Sequence, residues 1–231
     1  MISIIVPVYN EKDTILKILE KIKAVKDIKK EIIIVDDCST DGTRGILKSL
    51  NNDIYKIHFH EKNLGKGGAI KTAKKYIEGE IVIIQDADLE YNPNDYKKLI
   101  DPILKKEAQV VYGSRVLGKK RYLVKSFSSI YRIFFNHILT ILSNIINQQN
   151  LTDAHTCYKT FSYKVFNSID LQENDFSFCP EITTKISLKK IKIIEVPIEY
   201  YGRSYKEGKK IKLIDGVKAL ITLIKYRFNK K

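Results

Sequence analysis

The stretch Glu80-Ile-Val-Ile-Ile-Gln-Asp86-Ala87-Asp88-Leu-Glu90 decides the fold prediction. Its β-branched apolar run is typical of a parallel strand that is buried on both faces. The run ends in the carboxylates of Asp86 and Asp88, and ligands of open α/β sheets bind outside the carboxyl ends of strands. Carboxylate oxygens suit Mg²⁺ or Mn²⁺. The pattern therefore indicates a nucleotide and metal pocket, with a surface Asp-x-Asp in a strand-to-helix loop as the alternative.

Strand and helix patterns alternate along the chain without a repeat. Further strands are predicted at residues 2–8, 31–35, 54–59, 109–112 and 191–199, the last at a sheet edge because it contains Pro197. Several of these strands are followed by a segment whose apolar residues have helical spacing. Asp13 is the predicted cap of the first helix. This order predicts an α/β fold with a mostly parallel, doubly wound sheet flanked by helices.

Length and cysteine usage limit the class of protein. The 231 residues, 44% of them hydrophobic, suffice for one domain over 1–231, and no linker divides them. Three cysteines without a C-x-x-C pair argue against a disulfide framework and against a zinc site. The first residues enter a strand without a basic region, so no signal peptide and a cytoplasmic location are expected.

The net charge of +14 lies in the second half of the chain. Residues 108–152 contain six basic and no acidic residues, and residues 182–231 contain 14 basic and four acidic ones. Such an excess suits nucleic acid, an anionic membrane surface or phosphorylated ligands, although compositional bias without functional meaning is an alternative. Since no nucleic-acid-binding motif is found, no nucleic acid partner is expected.

Two amphipathic helices are predicted near the carboxyl end, at residues 127–146 and 211–228. The first is interrupted by Asn136 and Asn144, so its apolar part is too short to span a bilayer. Each helix is expected either to pack on this protein or a second subunit, which would make a homo-oligomer, or to lie on a membrane surface. The other partner expected for these helices is a membrane protein.

Six motifs in one order along the chain resemble family 2 glycosyltransferases of GT-A fold. The similarity is greatest to the branch that contains dolichyl-phosphate mannosyltransferase and bacterial polyprenyl-phosphate sugar transferases, and it covers residues 2–212. The motifs are Pro7-Val-Tyr9-Asn-Glu11, Val35-Asp-Asp37-Cys-Ser-Thr-Asp-Gly, Gly65-Lys-Gly, Gln85-Asp86-Ala87-Asp88-Leu89, Gly113-Ser-Arg115 and Glu195-Val-Pro197-Ile followed by Arg203 and Lys209.

The resemblance implies a role for each matching position. The first half, 1–115, would bind a nucleotide-sugar and the second half, 116–231, the acceptor. The diphosphate would be held through Mg²⁺ or Mn²⁺, with Asp88 favoured as the direct ligand and Glu90 standing where relatives often have Gln. The implied base and ribose pocket comprises Pro7, Tyr9, Glu11, Val35 and Asp37. The implied diphosphate and metal site comprises Asp86, Ala87, Asp88 and Glu90. The implied phosphate-binding cations are Arg115, Arg203 and Lys209.

The chemistry of the acceptor narrows the reaction. A hydroxyl acceptor needs a general base, whereas a phosphate monoester is already an anion near neutral pH and needs cations to position it. The sequence has a cationic segment at residues 203–210 and no tryptophan, which hydroxyl-transferring relatives often carry. It therefore predicts inverting transfer to a polyprenyl phosphate, with Asp86, Asp88 and Arg203 as the catalytic residues. The alternatives are transfer to a hydroxyl of a lipid-linked glycan or polysaccharide, and a non-catalytic membrane-associated module.

Overall fold

A seven-stranded sheet with helices on both faces forms the frame of the protein. The computed structural model describes residues 1–50, 54–118, 127–203 and 213–228. Within these ranges the strands are β1 Ile2–Val8, β2 Lys30–Asp36, β3 Tyr55–Phe59, β4 Ile81–Ile84, β5 Val110–Ser114, β6 Lys159–Ser162 and β7 Ile193–Pro197. The helices are α1 Ile15–Ala24, α2 Thr43–Lys48, α3 Lys66–Lys74, α4 Tyr96–Leu104, α5 Phe127–Asn147, α6 Tyr163–Ser168, α7 Phe178–Leu188 and α8 Leu213–Phe228.

The sheet is mostly parallel, as predicted, and has the strand order β3-β2-β1-β4-β6-β5-β7. Strand β6 is the exception, because it lies antiparallel between β4 and β5. Strand β6 was not predicted from sequence, since a four-residue strand that begins with Lys159 lacks an apolar run. The predicted edge position of the strand with Pro197 is confirmed, because β7 is the last strand.

Alternating side chains of the strands supply two apolar layers, one on each face of the sheet. In β1, Ile4 and Val6 belong to one layer and Ile5 to the other, as the two-residue repeat of a strand requires. The first layer is completed by α1, whose predicted face of Ile15, Ile18, Leu19 and Ile22 is buried. The predicted cap at Asp13 is wrong, because α1 is preceded by Thr14, whose hydroxyl donates a hydrogen bond to Glu11 instead.

The two amphipathic helices predicted near the carboxyl end are α5 and α8, and they pack against each other. Residues 211 and 212 of the second prediction lie outside the described residues. Across the part of the chain that the structure describes, no helix combines the length and apolar character required to cross a membrane.

Candidate functional site

The site lies where the direction of strand addition reverses, between β1 and β4. Strands β2 and β3 follow β1 on one side, and β4 lies on its other side. At this reversal the loops after neighbouring strands diverge and leave a crevice at their carboxyl ends. Asn10, Cys38 and Leu89, which follow β1, β2 and β4, have φ angles of 50°, 63° and 64°. Positive φ angles are uncommon at non-glycine residues, and each of these three strand ends has one, although Asp27, Lys106, Gln148 and Lys190 elsewhere in the described chain have them as well.

Arg203 joins the carboxylates at the ends of β1 and β4. Its Nη1 and Nη2 atoms lie 3.0 Å from Oε2 and Oε1 of Glu11. Nη2 also lies 3.1 Å from Oδ2 of Asp88. The side chains of Arg203 and Asp88 are mostly buried, so these ion pairs are less screened than surface pairs. The tertiary fold therefore brings together Glu11, Asp88 and Arg203, three residues that the sequence analysis assigned to the site.

Glu90 anchors the segment that carries Arg203. Its Oε1 accepts the backbone N–H of Arg203 at 2.7 Å, and its Oε2 accepts the hydroxyl of Tyr200 at 2.8 Å. The carbonyl oxygen of Glu90 accepts the N–H of Tyr201 at 2.9 Å. The residue expected from sequence to be a metal ligand thus connects the acidic turn to the segment after β7.

Asp86 pairs with Lys66, the first residue of α3. Burial of Lys66 lowers its pKa, but the neighbouring Asp86 carboxylate more than offsets this and raises it well above the ordinary value. Burial, together with the nearby charges of Asp86 and Glu90, raises the pKa of Asp88 to about 7, although Arg203 opposes the shift. Asp86 and Asp88 are each held beside a cation, Asp86 beside Lys66 and Asp88 beside Arg203.

The donor set at this turn suits a hard divalent cation, because Asp86 and Asp88 offer carboxylate oxygens with a single residue between them after β4. Within the described ranges, no group of three or more His, Cys, Asp or Glu side chains is arranged to hold a metal ion.

Asp37 holds the beginning of α3. Its carboxylate accepts the backbone N–H groups of Leu64 and Gly65 at 2.8 and 2.7 Å, and it bonds Nδ1 of His60 at 2.7 Å. These bonds occupy a side chain that is almost fully buried. Asp37, which the resemblance assigns to the base or ribose, positions the turn that presents Lys66.

The other pocket residues differ in how far they reach the surface. The side chain of Val35 is fully buried in the core. Ala87 is also buried, Pro7 is half-buried and Tyr9 is exposed. Lys209 lies outside the described residues.

The glycines of Gly65-Lys-Gly admit the protein's own backbone. A Cβ atom at Gly65 would lie 2.5 Å from the carbonyl oxygen of Asn174, and one at Gly67 would lie 2.4 Å from that of Glu173. This packing of glycines against backbone was not predicted from sequence, because Asn174 is more than 100 positions away along the chain.

Arg115 is held by Asp153. Its Nε and Nη2 atoms lie 2.7 and 2.8 Å from the two carboxylate oxygens of Asp153. Burial raises the pKa of Asp153, but the Arg115 guanidinium and its hydrogen bonds outweigh this and lower it to about 2. The guanidinium carbon lies 5.1 Å from the ring centre of Tyr200, which bonds Glu90. Arg115 therefore belongs to the same region as Arg203.

Four residues of this arrangement were not assigned a role from sequence: Asp153, Tyr200, His60 and Lys66. Asp153 had one available signal, since it is the first acidic residue after the acid-free segment 108–152. Its pairing with Arg115 depends on the tertiary fold, so that signal alone does not identify the partner.

Comparison with known proteins finds similar sequences along most of the chain. Residues 3–170 match glycosyl transferase family 2. The chain is 28% identical to UDP-N-acetylglucosamine–dolichyl-phosphate N-acetylglucosaminyltransferase of Methanococcus voltae, over 100% of this chain and 97% of that protein. It is also 28% identical to dolichyl-phosphate beta-glucosyltransferase of Saccharomyces cerevisiae, over 96% of this chain and 73% of that protein.

A solved structure of glucosyl-3-phosphoglycerate synthase from Mycobacterium tuberculosis, in complex with Mn²⁺, UDP-glucose and phosphoglyceric acid, has the same fold. The TM-score is 0.68 at 18% identity, over 100% of this chain and 81% of that one. The GT-A architecture expected from sequence is thereby confirmed.

Proposed function

Because the chain belongs to glycosyl transferase family 2 and is a glycosyltransferase, we propose that it transfers a sugar from a nucleoside diphosphate to a polyprenyl or dolichyl phosphate, with inversion at the anomeric carbon. The observation that carries this proposal is the position of Arg203, a fixed cation 3.1 Å from Asp88 at the strand ends. The names of the relatives from M. voltae and S. cerevisiae, which specify dolichyl phosphate, support the choice of acceptor.

The donor binds at the carboxyl ends of β1, β2 and β4. Pro7 and Tyr9 line the base and ribose pocket, with Val35 and Asp37 supporting it from β2. Glu11 orients Arg203 through two hydrogen bonds. Lys66 contributes a cation beside Asp86, on the side of the site where α3 begins.

Asp86 and Asp88, with Ala87 between them, would hold Mg²⁺ or Mn²⁺ together with the donor diphosphate. When bound, the cation would neutralise charge on the departing diphosphate as a Lewis acid. We assign the supporting role in this turn to Glu90, because both of its carboxylate oxygens already accept hydrogen bonds from the Arg203 segment.

The acceptor phosphate is positioned by cations. Arg203, Arg115 and Lys209 are the residues assigned to it, and Asp153 keeps the Arg115 guanidinium in place. An oxygen of the acceptor phosphate forms a bond to the anomeric carbon as the bond from that carbon to the diphosphate oxygen breaks, and the electron pair leaves with the diphosphate. Because the attacking oxygen is already anionic, no proton has to be removed and no general base is required.

The two halves of the chain divide these tasks in the proposal: 1–115 binds the donor and 116–231 the acceptor. Glu11 and Asp88 belong to the first half and Arg203 to the second, so their ion pairs link donor and acceptor sides. The reaction takes place at the cytoplasmic face of a membrane, since its acceptor is a lipid.

The donor side is tested by thermal unfolding with a panel of UDP- and GDP-sugars, with and without Mn²⁺. A ligand that binds the native state raises Tm, so one of these donors is expected to raise Tm only when Mn²⁺ is present. The Asp88→Asn variant is expected to keep its fold and lose both the shift and turnover. Asp101→Asn is the matched control, because Asp101 pairs with Lys97 on the surface of α4.

The acceptor side is tested by comparing polyprenyl phosphate with a lipid-linked glycan that offers only hydroxyl groups. Sugar transfer to the phosphate alone is the expected result. Strict dependence on the hydroxyl acceptor would overturn the proposed acceptor while leaving the donor site intact.

A further inference from the structure

Two of the three cysteines of the chain form a pair beside the candidate site. Cys157 lies just before β6, and Cys179 belongs to the first turn of α7. Their thiols are joined by a hydrogen bond. Cys157 is half-buried, and Cys179 is 6% exposed. Because the two side chains already touch, a disulfide between them requires only a small movement of the backbone.

Cations lie close to this thiol pair. The ammonium groups of Lys66, the partner of Asp86, and of the fully buried Lys159 both interact electrostatically with the two thiols. The hydrogen bond from Cys157, together with these cations, lowers the pKa of Cys179 to about 6, although burial and Asp86 oppose the shift. Neighbouring cations favour the thiolate, which is the nucleophilic form of cysteine. The surroundings therefore favour oxidation of the pair.

The segment before α7 connects Cys179 to the beginning of α3. The N–H of Cys179 donates to the carbonyl oxygen of Phe176 at 3.1 Å. The carbonyl oxygen of Asn174 accepts the N–H of Gly68 at 3.0 Å. The glycines on either side of Lys66 pack against the same segment. A displacement of the first turn of α7 is therefore transmitted to the turn that presents Lys66.

The loop of Cys157 also supports the site. The N–H of Cys157 donates to the hydroxyl of Tyr91, which directly follows Glu90, at 3.0 Å. The same loop contains Asp153, the partner of Arg115. The sulfurs of a disulfide are about 2 Å apart, closer than the sulfurs of two hydrogen-bonded thiols. Formation of the bond therefore draws this loop and α7 together.

We propose that Cys157 and Cys179 are a reversible oxidation site, at which hydrogen peroxide converts the two thiols into a disulfide that loosens the beginning of α3. This inference goes beyond the proposed function, since the disulfide and its effect on α3 require neither donor nor acceptor. Loss of sugar transfer after oxidation is a consequence that does rest on the proposed function, because Lys66 lies beside Asp86.

The oxidation proceeds in two steps. One thiolate sulfur attacks a peroxide oxygen, so that an S–O bond forms, the O–O bond breaks and hydroxide leaves, taking up the proton that this thiol released. The sulfur of the second thiol then attacks the sulfenic acid, so that the S–S bond forms and the S–O bond breaks. The departing hydroxide takes the proton of the second thiol. Two electrons thus pass from the sulfurs to the peroxide, which becomes two molecules of water.

The disulfide is tested on the full chain by treatment with hydrogen peroxide, alkylation of the remaining thiols in denaturant, and peptide mass spectrometry without reductant. The wild type is expected to yield a Cys157–Cys179 link and an alkylated Cys38, and dithiothreitol is expected to restore all three thiols. Cys38→Ser is the matched control, because the Cys38 thiol donates to the carbonyl oxygen of Glu61 at 3.5 Å, and it is expected to form the same link.

Cys157→Ser and Cys179→Ala are each expected to form no disulfide within the chain. Two thiols that remain free at peroxide concentrations that oxidise Cys38 would overturn the oxidation site. Oxidation to sulfinic acid without a link, or links between chains only, would also exclude it.

Hydrogen exchange of residues 64–68 tests the effect on α3. The N–H groups of Leu64 and Gly65 are bonded to Asp37 and that of Gly68 to Asn174. Oxidation of the wild type and of Cys38→Ser is expected to speed exchange in this segment about tenfold and to leave α1 unchanged. The same rate in the reduced and the linked protein would overturn the effect on α3.

Turnover with donor, Mn²⁺ and polyprenyl phosphate is measured on the same samples. The linked protein is expected to lose at least about tenfold and to recover with dithiothreitol, since small displacements of positioning groups are costly. Cys157→Ser and Cys179→Ala are expected to keep their own starting rates after peroxide. Absence of turnover before oxidation would count against the proposed function, whereas the mass and exchange measurements would still decide on the oxidation site.

Discussion

Arg203 presents both terminal nitrogens to both carboxylate oxygens of Glu11, at 3.0 Å each, across 192 positions of the chain. The contact joins the loop after β1 to the segment after β7, while Nη2 of the same guanidinium reaches Asp88 after β4. One planar cation thereby connects three loops at the sheet edge. A lysine has a single nitrogen and cannot reproduce this geometry.

Arg203→Lys is therefore expected to lower turnover about hundredfold, because a point charge retains only one of the three contacts. The measurement is kcat with donor, Mn²⁺ and polyprenyl phosphate. Arg227→Lys, which makes the same change on α8, is the control and is expected to leave kcat unaltered. Equal kcat values for the two variants would exclude the assigned role of Arg203.

Glu90→Gln separates loop anchoring from metal binding. The amide oxygen can still accept the Arg203 N–H, and the NH₂ group can donate to the Tyr200 hydroxyl, but both hydrogen bonds lose the carboxylate charge that strengthens them. The KM for the acceptor is expected to rise about fivefold, with the Mn²⁺ concentration for half activity unchanged.

Tyr200→Phe is the companion variant, because it removes one of the same contacts without touching a carboxylate. It is expected to produce a smaller change of the same kind. If Glu90→Gln instead raises the Mn²⁺ requirement and Tyr200→Phe does not, Glu90 is a metal ligand.

Asp153 is expected to make stability depend on pH in the acid range. Its pKa in the folded protein is about 2, below the ordinary 3.8. A carboxyl whose pKa is lowered by folding stabilises the native state above its unfolded pKa and ceases to do so as pH falls through the folded value. The contribution, about 2 kcal/mol at neutral pH, is lost between about pH 4 and pH 2.

Urea unfolding of the wild type and of Asp153→Asn across this range measures the effect. The wild type is expected to be more stable by about 3 kcal/mol at pH 7, because the variant leaves the Arg115 charge buried without its partner. The difference should narrow as the pH falls below 4. A difference that stays constant with pH would show that the carboxylate charge does not carry the effect.

Gly67→Ala is expected to destabilise the fold by about 2 kcal/mol or more, because its Cβ would lie 2.4 Å from a backbone carbonyl oxygen of Glu173. Gly45→Ala is the matched control in α2, where a Cβ would meet nothing within 4 Å. That variant is expected to gain about 0.5 kcal/mol, since alanine favours helix. The Tm of both variants, measured by thermal unfolding, tests this prediction. Equal Tm values would mean that the loop at Glu173 moves away at little cost in free energy.

Six of the seven described strands, the acidic turn and the amphipathic helices were predictable, because each depends on a pattern within a few neighbouring residues. The apolar repeat of β1 and of α1 and the carboxylates after β4 are such patterns. Strand β6 was missed because Lys159 begins it and the strand is short. The exposure of Ile214, Val217, Ile221 and Ile224 on α8 was not predictable. An amphipathic pattern shows that two faces of a helix differ, but it does not show which face packs on the protein.

The amino-acid order alone thus established the α/β architecture, the family and the acidic strand end, because local periodicity and motif spacing carry that information. The folded chain alone decided the partners: Arg203 with Glu11 and Asp88, Lys66 with Asp86, and Arg115 with Asp153. These pairs join residues far apart in the chain, and their strength depends on burial and on distances of about 3 Å. Both quantities are properties of packing, which only the three-dimensional arrangement of the sheet and its loops defines.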